Sequence, residues 1–191
     1  SCSETDITDI LGAFYRVLDP DNDTAKAIAD KFPRGPGWPD RGAVPFTSAT
    51  KWSAVNFLDR GAYVVGAPEY ILGQDFAALE KRTAPYAAQG CRVLLLAQCD
   101  GAEIGRLHGV VIPLALLVLE NPIRPNAPKV FDYFHTQGVD VKVISGDNPV
   151  TVSAVAAQAG IRNAEQWVDA RELQTDQDLS LIHISEPTRP Y

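Results

Sequence analysis

Methionine is absent from the 191-residue chain, cysteine is scarce, and no apolar run is long enough to cross a membrane. The three cysteines, Cys2, Cys91 and Cys99, form no Cys-x-x-Cys pair, which disfavours a structural zinc site and fits a reduced, intracellular compartment. The longest apolar run, residues 110–119, contains Pro113 and falls short of the ~20 residues that a spanning helix needs. We therefore expect a buried strand there and, without methionine, a sequence that does not begin at a start codon.

Positive charge is also in short supply. The chain has 17 Lys and Arg against 24 Asp and Glu, for a net charge of −7. This balance argues against nucleic acid or an anionic membrane surface as the main partner. The length allows one large domain or two small ones, either of which can bury a core.

The first part of the chain mixes helical and strand patterns, which predicts an α+β domain around an antiparallel sheet. Ser3 is a plausible N-cap of the first helix, and Asp59-Arg60-Gly61 is a hairpin-type turn signal. We place the end of this domain near Gly105. The expected elements are helices at 7–18 and 24–32, strands within 43–67, a helix at 74–89 and strands from 92 to 119.

The remainder alternates between strand and helix patterns. Strands at 115–119 and 139–144 alternate with helices at 128–137 and 150–159. Such a βαβα series predicts a parallel sheet. It is part of a doubly wound domain and too short to be complete.

The turn after the 139–144 run is the most informative element. The run ends at Ser145-Gly146-Asp147, and Pro149 stands at a favourable first helical position. A strand that delivers an aspartate and a hydroxyl to a helix N-terminus makes an anion site, because unpaired N–H groups point at whatever binds there. This indicates phosphate chemistry. An Asx-type cap on the helix is compatible with the same role for Asp147.

A second candidate site follows Pro45. The ring of Phe46 can stack on a nucleobase while the Lys51 ammonium meets phosphate oxygens. The alternative is that Phe46 belongs to the core and Lys51 is an exposed strand residue. Gly66 allows close approach of a ligand to the backbone, although a strand ending in a turn explains it equally well. Arg92 is either an exposed strand start or a phosphate ligand.

These motifs, in this order, resemble the cytoplasmic part of a P-type cation-transporting ATPase. The likeness runs from about Thr5 to Leu179 and is strongest to the bacterial calcium-pump-like branch. It implies a nearly complete nucleotide-binding domain over 1–105 and part of a phosphorylation domain over 106–178, with a haloacid-dehalogenase-like, Rossmannoid parallel sheet. The motifs are Pro45-Phe46-Thr47-Ser48-Ala49-Thr50-Lys51, Gly66-Ala67-Pro68-Glu69, Gly90-Cys91-Arg92-Val93-Leu94, Glu120-Asn121-Pro122-Ile123-Arg124-Pro125 and Ser145-Gly146-Asp147-Asn148-Pro149.

The resemblance implies an ATP site. In it Phe46 matches the adenine-stacking residue and Arg92 an arginine that reaches the phosphates. Val65 stands where the family usually has lysine, and Ser48 where many relatives have arginine, so we expect weakened ATP affinity. The implied ATP-binding residues are Phe46, Ser48, Lys51, Gly66, Ala67, Arg92 and, at the hinge between the two domains, Arg124.

The resemblance also implies a catalytic role for Asp147, Ser145 and Gly146 in supporting the transferring phosphoryl group. The nucleophile motif Asp-Lys-Thr-Gly-Thr and the later Mg²⁺-binding motif Gly-Asp-Gly-x-Asn-Asp are missing from the chain. The Mg²⁺ site is therefore incomplete, and we expect ATP binding without hydrolysis.

The parent protein implied by the resemblance is a membrane-embedded pump. It would transport a cation, Ca²⁺ on branch resemblance. This chain would lie at the cytoplasmic face of the cell membrane, beside the pump's own transmembrane and actuator domains.

Two other functions stay open, a stand-alone haloacid-dehalogenase-type hydrolase and a non-catalytic nucleotide-binding module. Asp19-x-Asp21-x-Asp23 opens like a calcium loop, but its sixth position is Thr24 rather than the glycine that such a loop needs. His108 and His135 lack partners at metal-ligand spacing. Residues 179–191 resemble a translated sequencing adapter, so they carry no functional argument.

Overall fold

The computed structural model describes residues 3–33, 35–120 and 122–169. The chain divides into two compact units, Ser1–Asn121 and Pro122–Tyr191. This division falls later than the boundary near Gly105 expected from the sequence, because the strand Ile112–Leu119 pairs into the sheet of the first unit. The assignment of nucleotide-binding and phosphorylation domains to the chain stays a prediction.

The first unit contains helices and strands in the mixed order that the sequence predicts. Ser3 closes a capping box on the first helix, as expected, since its hydroxyl accepts from the Asp6 N–H and the Asp6 carboxylate accepts from the Ser3 N–H. The elements are α1 Glu4–Val17, α2 Asp23–Lys31, β1 Asp40–Val44, β2 Trp52–Phe57, β3 Gly61–Gly66, α3 Pro68–Leu72, a 3₁₀ turn Gly73–Phe76, α4 Ala77–Ala88, β4 Arg92–Cys99, β5 Gly101–Glu103, β6 Arg106–His108 and β7 Ile112–Leu119.

Five of these strands form one antiparallel sheet in the order β1-β2-β3-β4-β7. The β2–β3 hairpin closes at Asp59-Arg60-Gly61, where Asp59 and Gly61 have φ values of 62° and 70°. The predicted turn and the α+β class with an antiparallel sheet are thereby confirmed. β5 and β6 pair separately as a short second hairpin.

Both faces of the sheet are buried. Successive side chains of a strand point to opposite sides, so each strand contributes to a core on either face. On one face Val55 and Leu96 pack in a cluster with Leu11 and Phe14 of α1, all four fully buried. On the other face Trp52 joins a cluster that includes Ile71 of α3. A core on each side fixes the strand register, since a one-residue slip would move each side chain to the opposite face and disrupt the packing of both clusters.

The second unit contains α5 Ala127–Thr136 and α6 Pro149–Gln158, as predicted. The expected strand over 139–144 is not formed, and residues 115–119 lie in β7, antiparallel to β4. A strand needs a neighbour for its backbone hydrogen bonds, and no other strand is assigned among described residues 122–169. The apolar run is accordingly left open to solvent, with Ile144 85% exposed. The haloacid-dehalogenase-like sheet therefore remains a prediction.

Within the described ranges, no helix is long and apolar enough to cross a membrane.

Candidate nucleotide-binding site

One end of the five-stranded sheet gathers the residues predicted to bind ATP, apart from Arg124. β1 ends where β2 begins, with Val44 opposite Ala54, and β3 ends where β2 begins, with Gly66 opposite Trp52. β4 starts at this same end, since Gly66 also lies opposite Leu95. Phe46 and Ser48 follow β1, and Lys51 directly precedes β2. Gly66 is the last residue of β3, Ala67 comes next, and Arg92 is the first residue of β4.

Hydrogen bonds join the beginning of β2 to the end of β3. The Ala67 N–H donates to the Lys51 carbonyl at 2.9 Å, and the Lys51 N–H donates to the Thr47 carbonyl at 2.9 Å. Lys51 has a φ of 59°, in the left-handed region. The loop that carries Phe46 and Lys51 is thus fixed directly to the Gly66-Ala67 segment.

Gly66 is needed inside the sheet. A Cβ on this residue would lie 2.4 Å from the Lys51 carbonyl oxygen and 2.4 Å from the Trp52 Cβ. The sequence assigned this glycine to close approach of a ligand, whereas the structure gives a reason that needs no ligand. It lets the start of β2 pack against β3.

Phe46 lies in the loop between β1 and β2, because β1 ends at Val44. Its side chain is 38% exposed and belongs to neither core cluster. The alternative that Phe46 is a core residue is therefore wrong. Ser48, in the same loop, is exposed as well.

Arg92 is half-buried at the start of β4. Its Nη1 donates to the Thr24 hydroxyl at 2.6 Å, and Thr24 lies in the first turn of α2, which Asn22 caps. A guanidinium beside a helix N-terminus places two positive electrostatic features together, an arrangement that a bound anion stabilises. Asp23 in the same turn offsets part of that charge. Sequence reasoning missed Thr24, which lies 68 positions from its partner.

Val65 occupies the position where the resemblance expects a lysine. It is 4% exposed and packs in the same cluster as Phe14 and Tyr63. The valine therefore contributes to the core of the sheet and offers no charged contact at this position.

The second unit carries the remaining predicted residues. Arg124 is exposed, and its carbonyl accepts from the Ala127 N–H at the start of α5. In the turn before α6, the Ser145 hydroxyl accepts from the Asp147 N–H at 3.1 Å. The Asp147 side chain is exposed.

The cap of α6 is Asn148, so the alternative in which Asp147 caps this helix is wrong. The Asn148 side-chain oxygen accepts from the Val150 and Thr151 N–H groups at 3.0 and 3.4 Å. These donors were expected to face an anion. Because Asn148 already satisfies them, the case for phosphate at this turn rests on Ser145 and Asp147.

The other candidates have structural partners. Asp21 accepts a hydrogen bond from Asn22, whose own side chain caps α2. His108 pairs with Glu103 across the β5–β6 hairpin at 3.2 Å, so it is not isolated as the sequence suggested. Among the described residues, no group of three or more His, Cys, Asp or Glu is arranged to hold a metal ion. His135 lies in the last turn of α5.

Comparison with known proteins shows what the chain is similar to. It is 44% identical over 174 residues to the calcium-transporting ATPase CtpE of Mycobacterium bovis, a match covering 90% of this chain and 21% of that protein. It is 41% identical to CtpE of Mycolicibacterium smegmatis, over 91% of this chain and 22% of the relative. The probable cation-transporting ATPase exp7 of Streptococcus pneumoniae is 36% identical, over 92% of this chain and 22% of its own length.

Over most of its length, the chain is therefore similar to part of the P-type cation-transporting ATPases. It spans about a fifth of the length of the curated relatives it matches, 21% for the M. bovis protein. No protein-family model matches it.

Proposed function

We propose that this chain is an ATP-binding segment of a P-type cation pump, in which ATP binds at the end of the sheet where β1 and β3 end and β2 and β4 begin. The observation that carries the proposal is the convergence of a solvent-accessible aromatic ring, Phe46, and two cations, Lys51 and Arg92, at that end. A nucleoside triphosphate, with an aromatic base and a negatively charged triphosphate, matches this combination of an aromatic ring and cations.

Each residue has a separate task in this proposal. The Phe46 ring stacks on adenine, an interaction worth ~1–3 kcal/mol for a base on an aromatic side chain. The Arg92 guanidinium contacts phosphate oxygens through its planar fork, and the Thr24 hydroxyl holds that fork in place. Lys51 adds a compact charge from the adjacent loop.

The parent pump would hydrolyse ATP through an aspartyl-phosphate and move a cation across a membrane. The relatives named as calcium-transporting ATPases favour Ca²⁺ as that cation. In the parent, this chain would lie at the cytoplasmic face and contact the pump's transmembrane and actuator domains. Ser145, Gly146 and Asp147 would support the transferring phosphoryl group, and Arg124 the hinge.

Mg²⁺ is the metal that this family implies. The described residues do not provide a group of acidic, His or Cys side chains that fits the ion, so we derive no step through it. The nucleophile motif is also missing from the 191 residues. The chain is therefore proposed to bind ATP and not to hydrolyse it.

A titration of the chain with ATP by isothermal calorimetry tests the proposed site. We expect saturable binding that Phe46→Ala weakens about tenfold or more, because the adenine loses its stacking surface. Phe134→Ala is the matched control, since Phe134 is also 38% exposed but lies on α5. Binding that Phe46→Ala leaves unchanged, or that both variants weaken equally, would contradict the site.

The stand-alone hydrolase is disfavoured by the fold. Its Asp-x-Asp nucleophile would have to follow a strand, whereas Asp19 and Asp21 lie between α1 and α2. A non-catalytic nucleotide-binding module shares the proposed site. The module differs from the pump only in the protein that surrounds the chain. A gene that encodes membrane helices on either side of this segment would therefore favour the pump over the module.

A further inference from the structure

The loop before β2 holds a lysine in a backbone conformation that residues other than glycine rarely adopt. Lys51 has a φ of 59°, and non-glycine residues in the left-handed region are uncommon. Such strain persists only where surrounding contacts determine it, and it concentrates at functional sites. The contacts that hold it here involve two threonines in the same loop, Thr47 and Thr50, together with Ala67 after β3.

Thr47 and Thr50 form a closed set of hydrogen bonds, which we call the threonine clasp. The Thr50 N–H donates to the Thr47 hydroxyl at 3.0 Å, and the two hydroxyl oxygens are 2.7 Å apart. The Thr50 hydroxyl also lies 3.3 Å from the Trp52 carbonyl and donates to it. Since each hydroxyl carries one proton, the Thr47 hydroxyl is the donor to Thr50.

Two backbone hydrogen bonds next to the clasp hold Lys51, one on each side of the residue. Its N–H donates to the Thr47 carbonyl, and its carbonyl accepts from the Ala67 N–H, each at 2.9 Å. With both peptide groups of Lys51 held, the direction in which its side chain leaves the backbone is set before any ligand arrives. Preorganisation of this kind lowers the entropy lost on binding.

We infer that Thr47 is a positioning residue for Lys51, and that its hydroxyl orients the lysine toward the phosphates of the bound nucleotide. The inference rests on the proposed function and adds to it a residue that does not touch the ligand itself. Thr50 is the partner through which the Thr47 hydroxyl acts.

Binding of ATP to Thr47→Val and Thr47→Ser tests the inference. The valine removes the hydroxyl at nearly constant volume, and with it both of its hydrogen bonds to Thr50, and we expect it to weaken ATP binding about three- to tenfold. The serine keeps the hydroxyl and is expected to retain wild-type affinity. Thr8→Val is the matched control, because it also removes a threonine hydroxyl that donates a hydrogen bond, in this case to the Glu4 carbonyl within α1.

The same change in a Lys51→Gln background distinguishes positioning from a general structural role. Without the ammonium, Thr47→Val should cost no further affinity. An equal loss in both backgrounds, or a loss in Thr47→Ser, would overturn the inference. If thermal unfolding shows that Thr47→Val is not folded, Thr50→Val replaces it under the same criteria.

The outcomes also separate this inference from the proposed function. Wild-type binding that Phe46→Ala abolishes and Thr47→Val leaves intact would refute the clasp alone. No binding by a folded wild-type chain would refute the proposed function, and the inference with it.

Discussion

At the scale of single residues, Lys51 combines a conformational cost with a proposed role in binding. A left-handed backbone costs a side-chain-bearing residue roughly 1–2 kcal/mol, and glycine escapes most of that cost. The chain keeps lysine at this position, although its hydrogen bonds to Thr47 and Ala67 involve only the backbone. A stable fold alone does not require the ammonium there.

Lys51→Gly is therefore expected to make the protein more stable and a poorer ATP binder. The free energy of unfolding should rise by about 1 kcal/mol, after allowance for the greater backbone entropy of unfolded glycine. Urea denaturation measures the gain, and calorimetry measures the affinity.

Lys81→Gly gives the opposite control, since Lys81 is an exposed residue within α4 and glycine there should destabilise by about 1 kcal/mol. A Lys51→Gly variant that is no more stable than wild type would contradict the expectation that the Lys51 backbone is strained.

At the scale of elements, Gly66 allows β2 and β3 to pack closely where β2 begins. Gly66→Ala is expected to lower the free energy of unfolding by about 1–3 kcal/mol, because its Cβ would meet the Lys51 carbonyl and the backbone of Trp52. Gly37→Ala is the control, as its Cβ would make only an ordinary contact, 3.7 Å from Arg16. Equal stability of the two variants would show that the strands tolerate the added carbon.

Elements whose signals are local were predictable from the sequence. The capping box at Ser3, the hairpin turn at Asp59-Arg60-Gly61 and Pro149 at the first turn of α6 all depend on neighbours a few residues away. The expected strand over 139–144 failed for the opposite reason. Its residues have the right pattern, but a strand also needs a distant partner, which a pattern does not provide.

The candidate site was predictable in its residue types and not in its contacts. Aromatic and basic residues at 46, 51 and 92 are compatible with a phosphate-containing ligand by their chemistry, and the family resemblance implies that the ligand is ATP. The hydrogen bond from Arg92 to Thr24 joins residues 68 positions apart, and no local sequence pattern predicts it. The cap of α6 by Asn148 rather than Asp147 was equally hidden, since both residue types are good caps.

At the scale of the whole molecule, the chain corresponds to about a fifth of the length of its relatives, 21% for the M. bovis protein. The proposed ATP site lies within the first compact unit, and the Ser145-Gly146-Asp147 turn lies in the second. In the proposed function, ATP binding and the support of phosphoryl transfer thus fall in different units. Binding of ATP can then be tested without the transfer reaction.

No hydrolysis is expected from the isolated chain. Phosphate release from ATP should not exceed that of a protein-free blank, because the sequence lacks the Asp-Lys-Thr-Gly-Thr nucleophile motif. A clear rate that Asp147→Asn removes would contradict this expectation. Such a rate would favour the alternative in which the chain is a stand-alone hydrolase.

The central claim is that ATP binds at the end of the sheet that carries Lys51 and Arg92, and a nuclear magnetic resonance titration of backbone amides tests it most directly. ATP should shift the amide signals of residues 46–51, Ala67 and Arg92. It should leave unchanged those of the β5–β6 hairpin, residues 101–108, which follows β4 at the opposite end of the sheet. Shifts confined to that hairpin, or none at saturating ATP, would contradict the account.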